Sequence, residues 1–586
     1  MPNGEKKVRH VESRHVRWPP QMTRRARISV NCALVLYFFA CSLWVYRAAP
    51  DRDPSLPTPE TTNDTYQQLL LKDWDKRPCQ SDIDGLWGSG KTQSPWTRPR
   101  GPTSHWVDVL GRLISLIPKE HQAEELLRPI ECIECTVEAQ LQELAIRTRY
   151  FRRMFNAWEN VHSGPRDDPP SFYKHGDVRH YLPEQPDIAA GLGMSPNELV
   201  SSLDAFKSVM DRLSGVLFPW RMPWPIDLME FHAMHYHGGK GIVFLTGDLH
   251  APMLLTSIPI IRKLGCDLPI EVFFYGNLDL SPAVREKIEA LPGVTARNLN
   301  FLLDSGDWQL DLWAGKPFTM LLSSFREVMF IDADSLFFQN PEKLFEDAAY
   351  LETGALFFKD RLIAPESKRS FLWRILPKPI SDKAQESRFW TAESGHMQES
   401  GVVVVDKWRH FVTLMLVARL NGPDRHGDPD KGTMGVYDMV FGDKETFWLG
   451  WEMSGNTEYA FHNGGTGTMG LAREVNNVGL KGNILIAADP PRYRICAPQL
   501  LHLDRNGRPL WFNGWILPTK WDKDKQPAKF EEFLREPTDH EGSPWELHEH
   551  NVCCLTSEDK MDFSLKETKI LDQIIATGRA VGALAE

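Results

Sequence analysis

Two carboxylates two positions apart, Asp332 and Asp334, follow the apolar run Glu327-Val328-Met329-Phe330-Ile331. The run is partly β-branched and reads as a buried strand rather than an alternating surface one. Residues i and i+2 of an extended segment point the same way, so the two carboxylates share a face. Ionised so close together they repel, and burying them unpaired is very costly. A divalent cation removes that cost. Hard oxygen ligands suit Mg²⁺ or Mn²⁺, which also hold substrate phosphates. Most D-x-D triplets are solvated turns. This one gains value from its place at the carboxyl end of a buried strand, where open α/β sheets bind ligands.

The elements that must position these groups begin near Lys240. Lys240–Gly247 reads as a buried strand, Ala251–Leu264 as a helix and Ile270–Gly276 as a second strand. That order makes a βαβ unit and hence a parallel sheet, an α/β fold. There is no G-x-G-x-x-G and no Walker loop, which counts against dinucleotide and P-loop sites. Lys316 precedes a helix expected over Pro317–Phe325, where it is either a phosphate partner or a solvated lysine. Lys359-Asp360-Arg361 closes another apolar strand. Glu399-Ser400-Gly401 leads into the strand Val402–Val405, and Asp443, with Glu445, stands where a helix opens near Lys444. Capping is the plain reading of Asp443. His232-x-x-His235-x-His237 has no carboxylate or cysteine partner placed by spacing, so a surface or core role is expected.

Upstream the pattern is helical. Val137, Leu141, Leu144, Thr148, Phe151, Phe155 and Trp158 keep the 4-3 spacing of one helix face, and a second helix is expected over Pro196–Leu217. Gly164–Pro186 reads as a loop. The chain of 586 residues carries a formal charge of -11, which argues against general nucleic-acid binding. Residues 1–27 form a basic tail, and Ile28–Tyr46 is an uncharged run long enough to span a bilayer. The basic side stays cytosolic, so a single-pass type II anchor with a luminal remainder is expected. Residues 47–103 read as a stem, 104–235 as a helical luminal region, 236–520 as the catalytic domain and 521–586 as a C-terminal extension with a short helix at Phe530–Arg535. A lumen favours disulfides. Cys132 and Cys135 are expected to pair with the vicinal Cys553 and Cys554.

Several stretches together resemble the fungal Golgi α-mannosyltransferases that extend N- and O-linked mannans from GDP-mannose. They are KGIVFLTGD at 240–248, FREVMFIDADSLFFQNPEKLFE at 325–346, TGALFFKDR at 353–361, ESGVVVVDKWRH at 399–410, GDKETFWLG at 442–450 and QLLHLDRNGRPLWFNG at 499–514. The resemblance implies a GT-A-type nucleotide-binding mixed sheet flanked by helices. It further implies Mn²⁺ on Asp334, Asp332 reaching the metal or the ribose, and His502 as a third ligand. Thr246, Gly247, Tyr275 and Lys316 would face the nucleotide, while Asp360 and Arg361 would grip donor hydroxyls or diphosphate. Retaining transfer to a mannose-terminated glycan needs a carboxylate near the anomeric carbon, for which Asp443 stands first and Glu399 second, or a front-face departure. A UDP-hexose donor and an inactive glycan-binding protein on the membrane are the competing readings.

Overall fold

The computed structural model describes residues 96–585, apart from 131–135, 166–170, 221–226, 306–307, 309, 311, 428–433, 476–477, 482–483, 488–490, 520–521, 539–542 and 550–551. The expected tail, anchor and most of the stem lie outside the described residues, as do Cys132 and Cys135. Among the described residues no helix is long and apolar enough to cross a membrane.

Both expected upstream helices are present. Helix α1, Val137–His162, starts where the Thr136 side chain accepts from Ala139 N, and it buries Leu141, Leu144, Phe151, Phe155 and Trp158. Helix α2, Pro196–Leu217, opens with a Ser195/Glu198 capping box. The stretch expected as a loop holds a helix, His175–Tyr181, whose Val178 is buried. Of the His232 motif, His232 and His235 are core and His237 is exposed. His232 stacks on Trp408 with centroids 3.7 Å apart and bonds to Glu159 Oε1 at 3.1 Å.

The central sheet is built from β1 (Lys240–Leu245), β2 (Ile270–Phe274), β3 (Val294–Asn298), β4 (Glu327–Ile331), β6 (Ala355–Lys359), β7 (Gln398–Asp406) and β8 (Ala460–Phe461). Its strand order is β8-β6-β7-β4-β1-β2-β3. The expected βαβ unit is there. β1 and β2 run parallel with Ile242 opposite Ile270, joined by α3 (Ala251–Lys263). Strands β1 to β4 pair parallel because connections cross over the sheet. β7 is antiparallel to both its neighbours, β4 and β6. One core cluster joins Ile242, Phe244, Val272, Met329, Ile331, Val402 and Val404 to Leu254, Ile258 and Ile261 of α3.

The run of β7 decides what reaches the end of β4. Ile331 sits opposite Val402, and Asp332 N donates to Gly401 O at 2.8 Å. The strand begins at Gln398, earlier than its apolar run suggests, so Glu399, Ser400 and Gly401 lie beside the two aspartates. At the same end of the sheet, Lys359 of β6 pairs with Gln398.

After Asp334 the chain leaves for a second sheet. β5 (Leu336–Phe337) is its edge, followed in space by β12 (Pro509–Asn513), β11 (Leu500–Leu503), β9 (Thr466–Gly470), β13 (Glu532–Arg535) and β15 (Lys560–Asp562). Glu532–Arg535 is therefore a strand, not the expected helix. Its inner residues Phe533 and Leu534 pair with Met469 and Thr468 of β9, and sheet burial decides the form of so short a run. Cys554 of β14 (Cys553–Ser557) stands opposite Cys496 of β10 (Arg492–Ala497), and the two form a disulfide. This overturns the expected bond from Cys554 to Cys132 or Cys135; Cys553 is a free, buried thiol. The chain closes with α6, Leu565–Ala580, on the second sheet's core.

Candidate active site

The aspartates are joined by groups from three other elements. Lys316 opens α4 (Lys316–Leu322), which is buried along its whole length. The lysine is therefore not solvated. Its Nζ donates to Asp332 Oδ2 at 2.9 Å and to Ser400 Oγ at 3.1 Å, and lies 3.2 Å from Asp443 Oδ2. Ser400 Oγ in turn donates a hydrogen bond to Asp443 Oδ2 at 2.8 Å. Asp443 precedes α5 (Lys444–Met453), but its side chain makes no cap hydrogen bond. The carboxylate is used inside the cluster, which is why the capping expectation fails.

Glu399 joins from β7. Its Oε1 accepts from Gly401 N at 2.8 Å and from Asn513 Nδ2 at 2.9 Å. Asn513 ends β12, and the following turn returns to the first sheet, where Trp515 N donates to Asp334 O at 3.2 Å. Sequence reasoning passed over both Asn513 and Ser400. Asn513 falls within the quoted stretch 499–514, but only the meeting of two sheets brings it to Glu399.

The electrostatics show which charge is in excess. Burial works against the Lys316 ammonium, yet Asp332 and Asp443 overcome it and hold its pKa above the ordinary lysine value. Asp332 moves the other way. Burial, opposed by Lys316 and reinforced by Asp334 and Asp443, pushes its pKa up to about 7. One ammonium thus faces Asp332 and Asp443, with Asp334 acting on Asp332, and the negative charge left over favours a further cation. The donor set fits a hard divalent ion, which needs only one or two protein carboxylates when phosphates and water complete its shell.

His502 is not brought to that pair. It sits opposite Trp511 and Thr466 in the second sheet. Its ring stacks on Trp511 with centroids 4.0 Å apart and meets Phe358 edge-on at 5.2 Å. Burial drives its pKa well below the usual histidine value, and the charges acting on it are Asp360, His462 and Arg361. Its Nε2 is buried without a hydrogen-bond partner. Among the described residues, no group of three or more His, Cys, Asp and Glu side chains is arranged to hold a metal ion.

The remaining expected residues divide. Thr246, at the end of β1, is buried, and its N–H donates to Phe273 O at 3.0 Å. Asp279 secures the neighbouring turns, taking Tyr275 N on Oδ2 at 2.9 Å and Asp248 N on its backbone oxygen at 2.8 Å. A Cβ on Gly247 would lie 2.2 Å from Asp279 Oδ1. The Tyr275 hydroxyl reaches the turn before Lys316, where a Cβ on Gly315 would lie 2.0 Å from it. The glycine there permits the approach. Thr246, Gly247, Tyr275 and Lys316 are thereby linked around one end of the parallel strands. Asp360 and Arg361 are committed elsewhere. Asp360 is 2% exposed. It accepts from Lys444 Nζ at 2.5 Å and from Arg361 N at 2.7 Å. Arg361 donates to Pro498 O at 2.7 Å. Neither presents an open strand-end charge.

A mixed α/β sheet with an acidic, cation-seeking cluster at the carboxyl ends of its strands defines the class. Residues 239–504 match the family described as "Mannosyltransferase putative". The matched segment is a little under half of the chain, and over it the chain is similar to that family. The alpha-1,3-mannosyltransferase MNT2 of Saccharomyces cerevisiae is 26% identical over 331 residues, 50% of this chain and 55% of that protein. The alpha-1,3-mannosyltransferase MNT3 of the same yeast is 25% identical over 335 residues, 51% of this chain and 49% of that one. The chain thus spans about half the length of these relatives. Among solved structures, core-mannan synthase A of Aspergillus fumigatus in its Mn/GDP form is 9% identical, covering 38% of this chain and 72% of that chain with a TM-score of 0.24. The glycosyltransferase GlyE of Streptococcus pneumoniae is 11% identical, covering 38% of this chain and 45% of that chain with a TM-score of 0.25. Scores this low carry no argument for this chain.

Proposed function

We propose that the protein is a retaining α-mannosyltransferase that moves mannose from GDP-mannose to a mannose hydroxyl of a protein-linked glycan. One observation carries the reading: three aspartates and one buried ammonium converge where the parallel strands end, within the segment matched to mannosyltransferases. The relatives are α-1,3-mannosyltransferases, which makes an α-1,3 linkage the first to test. We assign the central sheet to the GT-A type, with the nucleotide near Thr246, Gly247 and Tyr275.

Asp332 and Asp334 would hold Mn²⁺, which when bound would act as a Lewis acid toward the departing diphosphate. Lys316 meets Asp332 through a 2.9 Å hydrogen bond, and to meet a phosphate oxygen as well its ammonium would exchange one of its three partners, Asp332, Ser400 or Asp443. Ser400 and Lys316 fix Asp443 through Oδ2, so the carboxylate keeps its place when sugar arrives. Pre-set geometry of this kind removes reorganisation from the reacting step. Glu399, held by Gly401 and Asn513, is the second carboxylate at the donor sugar or the acceptor hydroxyl. The basic tail and the uncharged run Ile28–Tyr46 support a single-pass type II placement in the Golgi membrane with the site in the lumen.

The test is incubation of the luminal portion with GDP-mannose, Mn²⁺ and a short mannoside, followed by linkage analysis. An α-linked dimannoside extension supports the reading. Turnover of UDP-hexoses with none of GDP-mannose overturns it.

A further inference from the structure

Two large aromatic side chains stand in water on either side of Asp443. Trp313 is 51% exposed and Phe441 is 68% exposed. Trp313 belongs to the short turn Leu312–Gly315 that runs into Lys316. Its Nε1 would lie 3.5 Å from a Cβ on Gly442, so the indole rests against the backbone next to Asp443. Phe441 lies on the other side. Its ring meets the His396 ring with centroids 5.1 Å apart and lies 5.2 Å from Lys444 Nζ. One ring is thus tied to the Lys316 side of the cluster and the other to the Lys444 side.

Rings of this size are usually buried, and one with an open face is ready to be covered. The two are separated by charged groups: Lys316, Asp443 and Lys444. Those three groups are already paired with one another, Asp332, Ser400 and Asp360, but the turn beside the rings carries the carboxylate assigned to the donor sugar or acceptor hydroxyl, so the ligand to lie against the rings is the acceptor sugar. A pyranose matches the mixture, with C–H faces to cover the rings and hydroxyls to meet the charges.

We propose that Phe441 and Trp313 form the acceptor subsite, where a pyranose ring of the incoming glycan lies against aromatic faces with its reacting hydroxyl toward Asp443. The inference rests on the transferase reading and adds to it the residues that choose and place the acceptor. Phe441, two positions before Asp443 in the same turn, couples acceptor placement directly to that carboxylate.

The experiment reads binding and turnover separately. An α-linked mannobiose is followed by saturation-transfer NMR in the presence of GDP and Mn²⁺, with wild type, Phe441→Ala, Trp313→Ala and the conservative Phe441→Tyr. Kinetics with GDP-mannose then give the KM for each substrate. Loss of an exposed aromatic anchor weakens binding by about tenfold or more. The expected result is a rise of that size in acceptor KM for each alanine variant, with donor KM within about twofold of wild type. The mannobiose signal should weaken in parallel, and Phe441→Tyr should restore both. Mannobiose binding equal to wild type in both alanine variants overturns the subsite, as does a wild type that binds no mannobiose. Failure of the transferase reading shows differently: mannobiose binds through the two rings, but GDP-mannose is not turned over.

Discussion

Two neighbouring strand ends handle buried charge in opposite ways. At the end of β4, Asp332 and Asp443 share one ammonium with Asp334 acting on Asp332, and Asp332 is pushed up to about 7. At the end of β6, one aspartate is surrounded by cations. Asp360 pairs with Lys444 and lies near His396 and Arg361, and despite burial these hold its carboxyl well below the usual carboxylate range. The first end has charge to offer a ligand; the second has consumed its own. Lys444 directly follows Asp443, so the satisfied end steadies the element that carries the unsatisfied one. A charged strand end marks a site only when its charge is left over.

The contrast is easiest to break by removing one charge at each end. Asp443→Asn and Asp334→Asn should each lower kcat by about a thousandfold, roughly 4 kcal/mol of barrier. Tm should hold or rise, because each change relieves repulsion. An Asp443→Asn enzyme with near-wild-type kcat would take that residue out of the chemistry. Asp360→Asn should instead cost stability, about 3 kcal/mol, by leaving Lys444 buried without its partner. Urea unfolding reads this, and an unchanged midpoint would erase the distinction between the two ends.

The pH dependence of the second end gives a finer measure. Burial lowers His396 to about 4, against the pull of Asp360. The folded state therefore binds fewer protons than the unfolded one between about pH 6.5 and pH 4, and stability contributed by neutral His396 is lost as pH falls through that window. The loss should be on the order of 3 kcal/mol, and His396→Asn should flatten that part of the curve. Least affected is the hydrogen bond that joins the two sheets. Asn513→Ala should lower kcat by about tenfold at most, the worth of one hydrogen bond to a charged group. An unchanged kcat would leave Glu399 without a need for its second donor.

The parts of this arrangement carried by local pattern were legible in the chain. The 4-3 spacing from Val137 to Trp158 and the βαβ order from Lys240 to Gly276 rest on periodicity, and both elements form as read. Asp332 and Asp334 stand out in the chain, but β4 stops at Ile331 and both lie in a turn where Ser335 N donates to Asp332 O at 3.0 Å, so strand alternation is not what sets their relation. The convergence of Lys316, Ser400 and Asp443 was not legible, since each arrives on a different element and their meeting depends on the register of β7 against β4. The placement of His502 depends on the same kind of pairing. A histidine beside a late strand looks available, but its row in the second sheet puts it against Trp511. The Cys496–Cys554 bond likewise follows from cross-strand pairing that cysteine spacing does not contain.

The reversed direction of β7 has one more consequence. Because Lys359 and Gln398 are partners in the sheet, residues 360–397 leave and re-enter it at a single rim, the rim where Asp332 emerges. Such a flap can lengthen, shorten or change its composition while every strand keeps its neighbours. Changes in the outer part of this segment can therefore be taken up at one rim, provided Asp360 keeps its pairing with Lys444.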